Sequence, residues 1–194
     1  MGAASEVATQ VRPRRQQILD TAARLFAERG FHGVSVADLG AACGMSGPAL
    51  YKHFGSKDDV LAAMLVEVSE QLLSDGRDRV AAGPGAPVEA VRRLVAGHVE
   101  FALRNPAVIV VQDRDWPSLP VQARARVREL QLAYVEVWAE QLRQAVPDLD
   151  AAHARARVHA AFGLINSTPH SRRLPEEPMA DLLRRMAEAA LLTR

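Results

Sequence analysis

The stretch SVADLGAACGMSGPALYKHFGSK, residues 35–57, decides the fold of this chain. It predicts two short helices joined by a glycine-containing turn, followed by the start of a third helix. Ser35 is a residue type that caps helix amino termini, and Asp38 stands three positions later, as in a capping box. Gly44 is expected to end the first helix, because glycine readily adopts the left-handed conformation found at helix ends.

The second predicted helix begins after Ser46, which can cap it, and ends at Gly55. Leu50 and Phe54 are four residues apart and therefore share one side of this helix. Three polar or basic side chains are left for the other side: Tyr51, Lys52 and His53. Two helices that meet at a glycine turn, the second with such groups outward, form the layout of a helix-turn-helix that reads DNA.

The surrounding sequence resembles a known family. The segment GMSGPALYKHFGSKDDVL (44–61), preceded by the amphipathic RRQQILDTAARLFAERGF (14–31), is similar to the DNA-binding domain of the tetracycline-repressor (TetR/AcrR) family. The resemblance covers roughly residues 12–72 without a gap. The chain departs from the common pattern at Gly47 and Pro48, where many members carry a basic residue and then glycine. Pro48 has no N–H and offers no backbone amide to a phosphate.

Composition and charge agree with this resemblance. The 194 residues are 48% hydrophobic and 24% charged, which is typical of a soluble globular protein. The net charge is only +1, but residues 1–57 hold seven Lys/Arg against four Asp/Glu. The single cysteine, Cys43, is expected to pack in an apolar helix face. No apolar run reaches the roughly 20 residues of a membrane span, and no signal peptide is recognised, so we expect a cytoplasmic protein without membrane contact.

The whole chain is predicted to be all-α, with about nine helices in two domains. A helix-turn-helix domain is expected at 12–72 (motif about 36–55), and a helical effector-binding and dimerisation domain at 73–194. The GPGAP sequence at 83–87 marks a break between helices. The valine-rich segment 107–115 has the composition of a strand, but a lone strand has no partner here, so a helix is predicted. The remaining helices are expected at about 57–82, 88–104, 120–145, 151–167 and 179–192.

Several residues of the motif are candidates for contact with double-stranded DNA. Tyr51 and Lys57 are predicted to contact phosphates, although the Tyr51 ring has an alternative place in the core. Lys52 and His53 are expected to touch phosphates or bases, or else to be simply solvated. The small residues at the start of the reading helix let it approach the groove: Ser46, Gly47 and Ala49. Ser35 and Val36 are expected to place the amino terminus of their helix against the phosphate backbone of the DNA. Arg12, Arg14 and Arg15 are either minor-groove ligands or a solvated basic arm.

A homodimer is predicted because a reading helix of about two turns contacts only a few base pairs, and two copies on a palindromic operator double the readout. The family resemblance implies a four-helix interface made by the last two long helices, at about 151–167 and 179–192. Apolar side chains on these helices are the candidates: Val158, Phe162, Ile165, Leu182, Leu183 and Met186. An intramolecular core is the alternative for the same side chains.

The resemblance further implies a small-molecule effector bound in the carboxyl-terminal domain, with repression favoured over activation. Aromatic and polar residues of the middle helices are candidate ligand contacts, with ordinary core packing as the alternative: His98, Phe101, Trp116, Tyr134 and Trp138. The segment 163–170, GLINSTPH, resembles one found in some members linked to fatty-acid or acyl-coenzyme A metabolism, which suggests a long acyl ligand and adds Asn166. Asn166 and His170 have helix-end hydrogen bonding as an alternative.

Other classes of protein fit the sequence less well. The sequence has no HExxH spacing, no Cys/His cluster and no GxSxG elbow, so we expect no enzyme, no cofactor and no metal site. The remaining alternative is a helical small-molecule-binding or interaction protein without regulatory DNA binding.

Overall fold

The computed structural model describes residues 13–83 and 85–193. The predicted amino-terminal arm, including Arg12, lies outside the described residues. Within them, every regular element is a helix, which confirms the all-α prediction. The helices are α1 (Arg14–Arg29), α2 (Val36–Ala42), α3 (Gly47–Leu50), α4 (Lys57–Ala81), α5 (Pro87–Arg104), α6 (Pro106–Asp115), α7 (Val121–Ala145), α8 (Ala151–Asn166), α9 (Thr168–Ser171) and α10 (Glu176–Leu192).

The helix count exceeds the predicted nine because of one extra turn. Residues 168–171, expected to be part of a loop, form the four-residue helix α9, with Pro169 in its first turn, where a missing N–H does no harm. A 3-10 turn at Trp116–Ser118 also follows α6 directly. The valine-rich segment is helical, as predicted, and forms most of α6.

The caps of α2 form as the sequence predicted. The Ser35 hydroxyl accepts a hydrogen bond from the Asp38 amide at 3.1 Å, and the Asp38 carboxylate accepts one from the Ser35 amide at 2.8 Å. The hydrogen bonds from the Ser35 side chain and backbone lower the pKa of Asp38. Gly44 follows α2 with φ of 64°, the left-handed conformation that glycine favours.

The reading helix is shorter than expected. Only Gly47–Leu50 is α-helical, and the chain continues through turns in which the amides of His53 and Phe54 bond to the Leu50 carbonyl. Ser46 occupies the N-cap position without a side-chain cap bond. The predicted second helical turn is therefore an irregular extension, whose buried ends are Leu50 and Phe54.

Two apolar cores hold the helices together. One lies among α1 to α4 and includes Ile18, Phe26 and Leu39, but it also takes Val111 from α6 and Val127 from α7. The other lies among α4, α5, α7, α8 and α10. Helix α4 contributes to both cores, and so does α6, through Val111 in the first and Ile109 in the second.

Part of the predicted dimer interface lies in the carboxyl-terminal core of a single protomer instead. Val158, Ile165 and Leu183 are buried inside a single protomer, so they have no surface left for a partner. The predicted intramolecular alternative is right for these three. Met186 is 47% exposed and Leu182 is half-buried, and both remain available on the surface of α10.

Within the described part of the chain, no single helix has the length and hydropathy needed to cross a membrane. Helices α5 and α6 reach that composition only when taken together, and the chain bends by 84° between them.

Candidate DNA-binding face and effector cavity

The turn that directly follows α3 presents the polar residues that the sequence assigned to DNA. Tyr51 is 54% exposed, so the alternative that its ring belongs to the core is wrong. Lys52 and His53 are exposed beside it, while the buried Leu50 and Phe54 fix the segment to the domain. These three adjacent side chains, Tyr51, Lys52 and His53, are called the reading edge below. A DNA contact from each remains a prediction.

The smaller residues near the reading edge also lie at the surface. Ser46 is exposed, Gly47 and Ala49 are half-buried, and a side chain added at Gly47 would meet no other atom. Ser35 is exposed but its hydroxyl caps α2, and Val36 is half-buried at the amino terminus of that helix. The side chains around α3 are therefore small enough for a DNA duplex to approach the helix closely.

Lys57 has a structural role that the sequence did not reveal. Its ammonium group donates to the backbone carbonyls of Phe31 and Val34, each at 2.8 Å. It also lies 4.2 Å from the centre of the Phe31 ring, in a cation–π contact. Lys57 thus fixes the loop that leads into α2, and two of its three donors are occupied. A phosphate contact from Lys57 remains a prediction and has one donor left to use.

The described arginines of the predicted basic cluster are bound to the domain itself. Arg14 donates to the Cys43 carbonyl, and Arg15 pairs with Glu67. The Arg15 guanidinium also lies 4.9 Å from the centre of the Phe54 ring. These contacts fasten the start of α1 to α2 and α4.

A cavity of about 200 Å³ lies between α4, α5, α6, α7 and α8. Four of the predicted ligand contacts line it: His98, Phe101, Tyr134 and Asn166. The sequence analysis missed further lining residues, among them Leu72, Ile109, Gln112, Leu130, Gln131 and His159. The helical spacing of α8 could have predicted His159, because His159, Phe162 and Asn166 recur at intervals of three and four and therefore share one face of the helix.

Three aromatic residues lie elsewhere than predicted. Trp138 is only 1% exposed and lies behind the cavity wall, packed edge-on against His98 and Phe162. Trp116 packs against the amino-terminal core, because it follows the end of α6 that contacts α1. The guanidinium carbon of Arg128 lies 5.9 Å from the centre of the Trp116 ring. Phe162, predicted for the dimer interface, lines the cavity instead and stacks on His98 with a centroid distance of 4.5 Å.

His98 is a strongly perturbed titratable group of the cavity. It is 3% exposed, and burial lowers the pKa of its imidazole to about 4, with Asn166 opposing the shift. The imidazole is therefore neutral at physiological pH. Its Nδ1 lies 3.4 Å from the Tyr134 hydroxyl, at the long end of hydrogen-bonding distance. Burial also raises the pKa of Tyr134.

Gly76 on α4 explains how the Tyr134 ring fits beside the cavity. A Cβ atom at this position would lie 2.6 Å from Cε2 of Tyr134, closer than atoms can approach. The bare backbone of Gly76 therefore leaves room for the ring, although glycine costs about 1 kcal/mol relative to alanine inside a helix.

Comparison with known proteins identifies the chain. Residues 18–64 match the model of the tetR family of bacterial regulatory proteins. Residues 84–170 match a tetracyclin repressor-like C-terminal domain, so the two matches together cover more than two thirds of the chain. The chain belongs to the tetR family. Members of this family are DNA-binding transcriptional regulators, and this chain is one of them.

Individual relatives agree with the family assignment. The HTH-type transcriptional repressor KstR2 of Mycobacterium tuberculosis (strain H37Rv) is 28% identical over 151 residues, which are 74% of this chain and 75% of that protein. PfmR, a TetR family regulator from Thermus thermophilus, superposes with a TM-score of 0.80 at 27% identity, over 93% of this chain and 97% of that one. AibR, crystallised with isovaleryl coenzyme A and operator DNA, has a TM-score of 0.74 at 24% identity, over 90% and 97%, and shares the fold.

In this tetR-family chain, α6 connects the cavity to the DNA-binding domain. Val108, Ile109 and Gln112 of α6 line the cavity. Two residues later, Arg114 donates to the Ala27 carbonyl at 3.0 Å and to the Phe26 carbonyl, both at the end of α1. Asp115 accepts from the Phe31 amide at 3.4 Å. A displacement of α6 by a ligand would therefore act directly on the carboxyl end of α1.

A second, more open cleft of about 1040 Å³ lies between α1, α4, α5 and α6. Its charged lining residues carry both signs, and Arg79 and Arg104 are already paired with Glu100. The smaller cavity is thus the better candidate for a specific ligand, because none of the described residues that line it is Asp, Glu, Lys or Arg and its aromatic side chains converge on it.

Proposed function

We propose that this chain is a dimeric repressor that binds a palindromic operator and leaves it when a small effector enters the cavity. The observation that carries the proposal is the reading edge: three adjacent polar side chains project from the turn that follows α3, while the apolar neighbours Leu50 and Phe54 are buried. Such an edge on a helix-turn-helix fits the major groove of DNA. Because the operator is chromosomal, we place the protein in the cytoplasm.

The outer face of α8 supports dimerisation. Small exposed residues recur along it at intervals of three and four: Ala152, Ala156, Ala160 and Gly163. This spacing keeps them on one side of the helix, and small side chains let a second helix approach closely. Met186 and Leu182 of α10 add exposed apolar surface. A two-fold interface between copies is self-complementary, so one such face per protomer is enough.

Release from DNA requires the effector to bind the two conformations of the protein unequally. The contacts of α6 support a route for this. A ligand that presses on Val108 and Ile109 changes the position of the helix that holds the end of α1. The reading edges of the two copies must keep the spacing of two half-sites, so a small change in their separation weakens binding to the operator.

The size of the cavity bears on the identity of the effector. An apolar cavity of about 150 Å³ holds benzene, so a cavity of about 200 Å³ takes in only a short segment of an acyl chain. The acyl-coenzyme A hypothesis therefore requires a short acyl group, an enlarged cavity, or a long chain that extends out of the cavity. AibR, which shares the fold, binds isovaleryl coenzyme A, a thioester of a short acyl group.

The DNA part of the proposal is tested by gel shifts on the region upstream of the gene for this protein. We expect binding that weakens steeply as salt rises, because phosphate contacts release counterions. Replacing Tyr51 by phenylalanine (Tyr51→Phe) removes one hydroxyl and should lower the affinity about 5-fold, the equivalent of one hydrogen bond. Ser74→Ala, which removes an exposed hydroxyl from the far part of α4, is the matched control.

Two results would count against the proposal. Absence of any DNA binding in dilute salt would leave the alternative of a helical small-molecule-binding protein. Equal losses of affinity in Tyr51→Phe and Ser74→Ala would show that the reading edge does not contact the operator.

A further inference from the structure

The cavity contains two buried polar atoms that no protein group satisfies. Nε2 of His98 and Oδ1 of Asn166 are shielded from solvent and have no hydrogen-bond partner among the described residues. Asn166 is near enough to favour the protonated form of His98, although the two atoms do not meet the geometry of a hydrogen bond. Both residues line the cavity, so a molecule inside it that displaces a neighbouring wall side chain can supply the missing partner.

The rest of the wall is mostly apolar or aromatic, with further polar side chains from Ser69, Gln112, Gln131 and His159. The Phe162 ring lies 4.5 Å from the His98 ring and 5.4 Å from the Tyr134 ring, measured between centroids, and both pairs are stacked. Among the described residues, none that lines the cavity is Asp, Glu, Lys or Arg. An ion placed here would lose its hydration without gaining an opposite charge. The wall therefore favours an uncharged ligand.

The volume limits the ligand further. By comparison with the cavity of about 150 Å³ that holds benzene, this cavity of about 200 Å³ takes in about eight non-hydrogen atoms of a ligand. The stacked rings of the wall suit a flat molecule, since aromatic faces pack well against one another.

We infer that the cavity binds a compact, uncharged, largely apolar molecule with one hydroxyl group, which pairs with His98 Nε2 and the Asn166 side chain. This inference rests on the proposed function, in which the cavity is the effector site. A hydroxyl both donates and accepts, so it pairs with Nε2 in either tautomer of the imidazole. If Nε2 carries the proton, the hydroxyl oxygen accepts from it and the hydroxyl hydrogen is free to reach Oδ1 of Asn166.

The test compares 4-methylphenol with 1,4-dimethylbenzene, which has a methyl group in place of the hydroxyl. Binding of each to the full chain is measured by calorimetry at pH 7.5, in the absence of DNA. Moving a hydroxyl from water into an apolar site is costly unless it is paired. We therefore expect 4-methylphenol to bind at least as tightly as 1,4-dimethylbenzene. Tighter binding of 1,4-dimethylbenzene, or no binding of either compound, would overturn the inference.

A third probe, 4-methylbenzoate, tests the requirement for an uncharged ligand. Its carboxylate is ionised at this pH and finds no cation on the wall, so we expect it to bind at least about 10-fold more weakly than 4-methylphenol. Binding of the anion as tight as that of the phenol would contradict the inference.

Two variants assign the hydroxyl to its partners. Asn166→Leu and His98→Phe each replace a polar side chain by an apolar one of similar size. In each, the ratio of the two affinities should move about 5-fold or more toward 1,4-dimethylbenzene, the equivalent of one hydrogen bond. An unchanged ratio in both folded variants would overturn the assignment. If only one variant folds, its ratio decides, and the wild-type comparison stands without either.

The binding measurement and the DNA measurement fail separately. A chain that prefers the phenol in the predicted way but never binds DNA keeps this inference about the cavity and loses the proposed repressor function. A chain that binds its operator but does not bind the phenol as tightly as 1,4-dimethylbenzene keeps the function and loses this inference.

Discussion

At the residue scale, Lys57 shows how far a sequence pattern reaches. A lysine at a helix amino terminus is a reasonable phosphate ligand, and the motif predicted it as one. The structure occupies its ammonium group with carbonyls from Phe31 and Val34. These partners stand 26 and 23 positions earlier in the chain, so no local pattern could reveal them.

We predict that Lys57→Met destabilises the protein by about 2 kcal/mol, because it removes two hydrogen bonds from a charged donor in a half-buried place. Lys52 is the only other lysine of the chain and is exposed, so Lys52→Met is a matched control with little effect on stability. Chemical denaturation measures both. Equal stability of the two variants would remove the structural role of Lys57.

His98 gives the stability of the protein a dependence on pH. The unfolded chain binds a proton at this imidazole near pH 6.5, whereas burial lowers the pKa in the folded protein to about 4. The unfolded state thus takes up the proton first as pH falls. The contribution of His98 to stability is complete above about pH 7 and declines toward pH 4, by about 3 kcal/mol in total.

Unfolding free energies measured between pH 7.5 and 4.5 test this dependence. The wild-type protein should lose more stability over this range than His98→Phe, which has no group to protonate at that position. Parallel curves for the two proteins would show that the pKa of His98 is the same in the folded and the unfolded state.

At the scale of elements, α6 carries two functions on ten residues. Its middle lines the cavity, and its end holds α1 through Arg114 and Asp115. The sequence predicted the helix itself, despite a composition rich in valine. It did not predict these contacts, because the acceptors on α1 lie 87 and 88 positions away.

We predict that Arg114→Met loosens the junction between α6 and α1. Without the guanidinium, the carbonyls of Phe26 and Ala27 lose the hydrogen bonds from Arg114, and amide hydrogen exchange should quicken about 5-fold or more at residues 26–31. Arg104→Met is the control, since Arg104 is an exposed residue paired with Glu100 on its own helix. Unchanged exchange at residues 26–31 would mean that Arg114 adds nothing to the junction.

At the scale of the whole molecule, the sequence separated apolar from polar helix faces but could not say which apolar face meets a second copy. Val158 and Ile165 belong to the protomer core. The small residues on the outer face of α8 are neither clearly apolar nor polar in a helical pattern. Four of the residues predicted as ligand contacts line the cavity, because aromatic and polar groups are rare enough on these helices to stand out; a ligand contact from each stays a prediction.

We predict that Ala156→Glu weakens dimerisation by at least about 10-fold, because it places a carboxylate from each copy in a close helix contact. Ala81→Glu, at the exposed end of α4, is the control and should leave the dimer intact. Sedimentation at several protein concentrations measures both variants. A dimer unaffected by Ala156→Glu would place the two-fold interface away from the outer face of α8.

The sharing of α6 and α7 between the two cores has a practical consequence for protein engineering. A hybrid regulator made by joining the first 72 residues to the remainder of another family member would keep the sequence of the DNA-binding domain. It would lose part of the core of that domain, however, because Val111, Leu119 and Val127 lie after residue 72 and pack in that core. A transfer of this DNA-binding domain to another effector-binding domain must therefore include those three side chains.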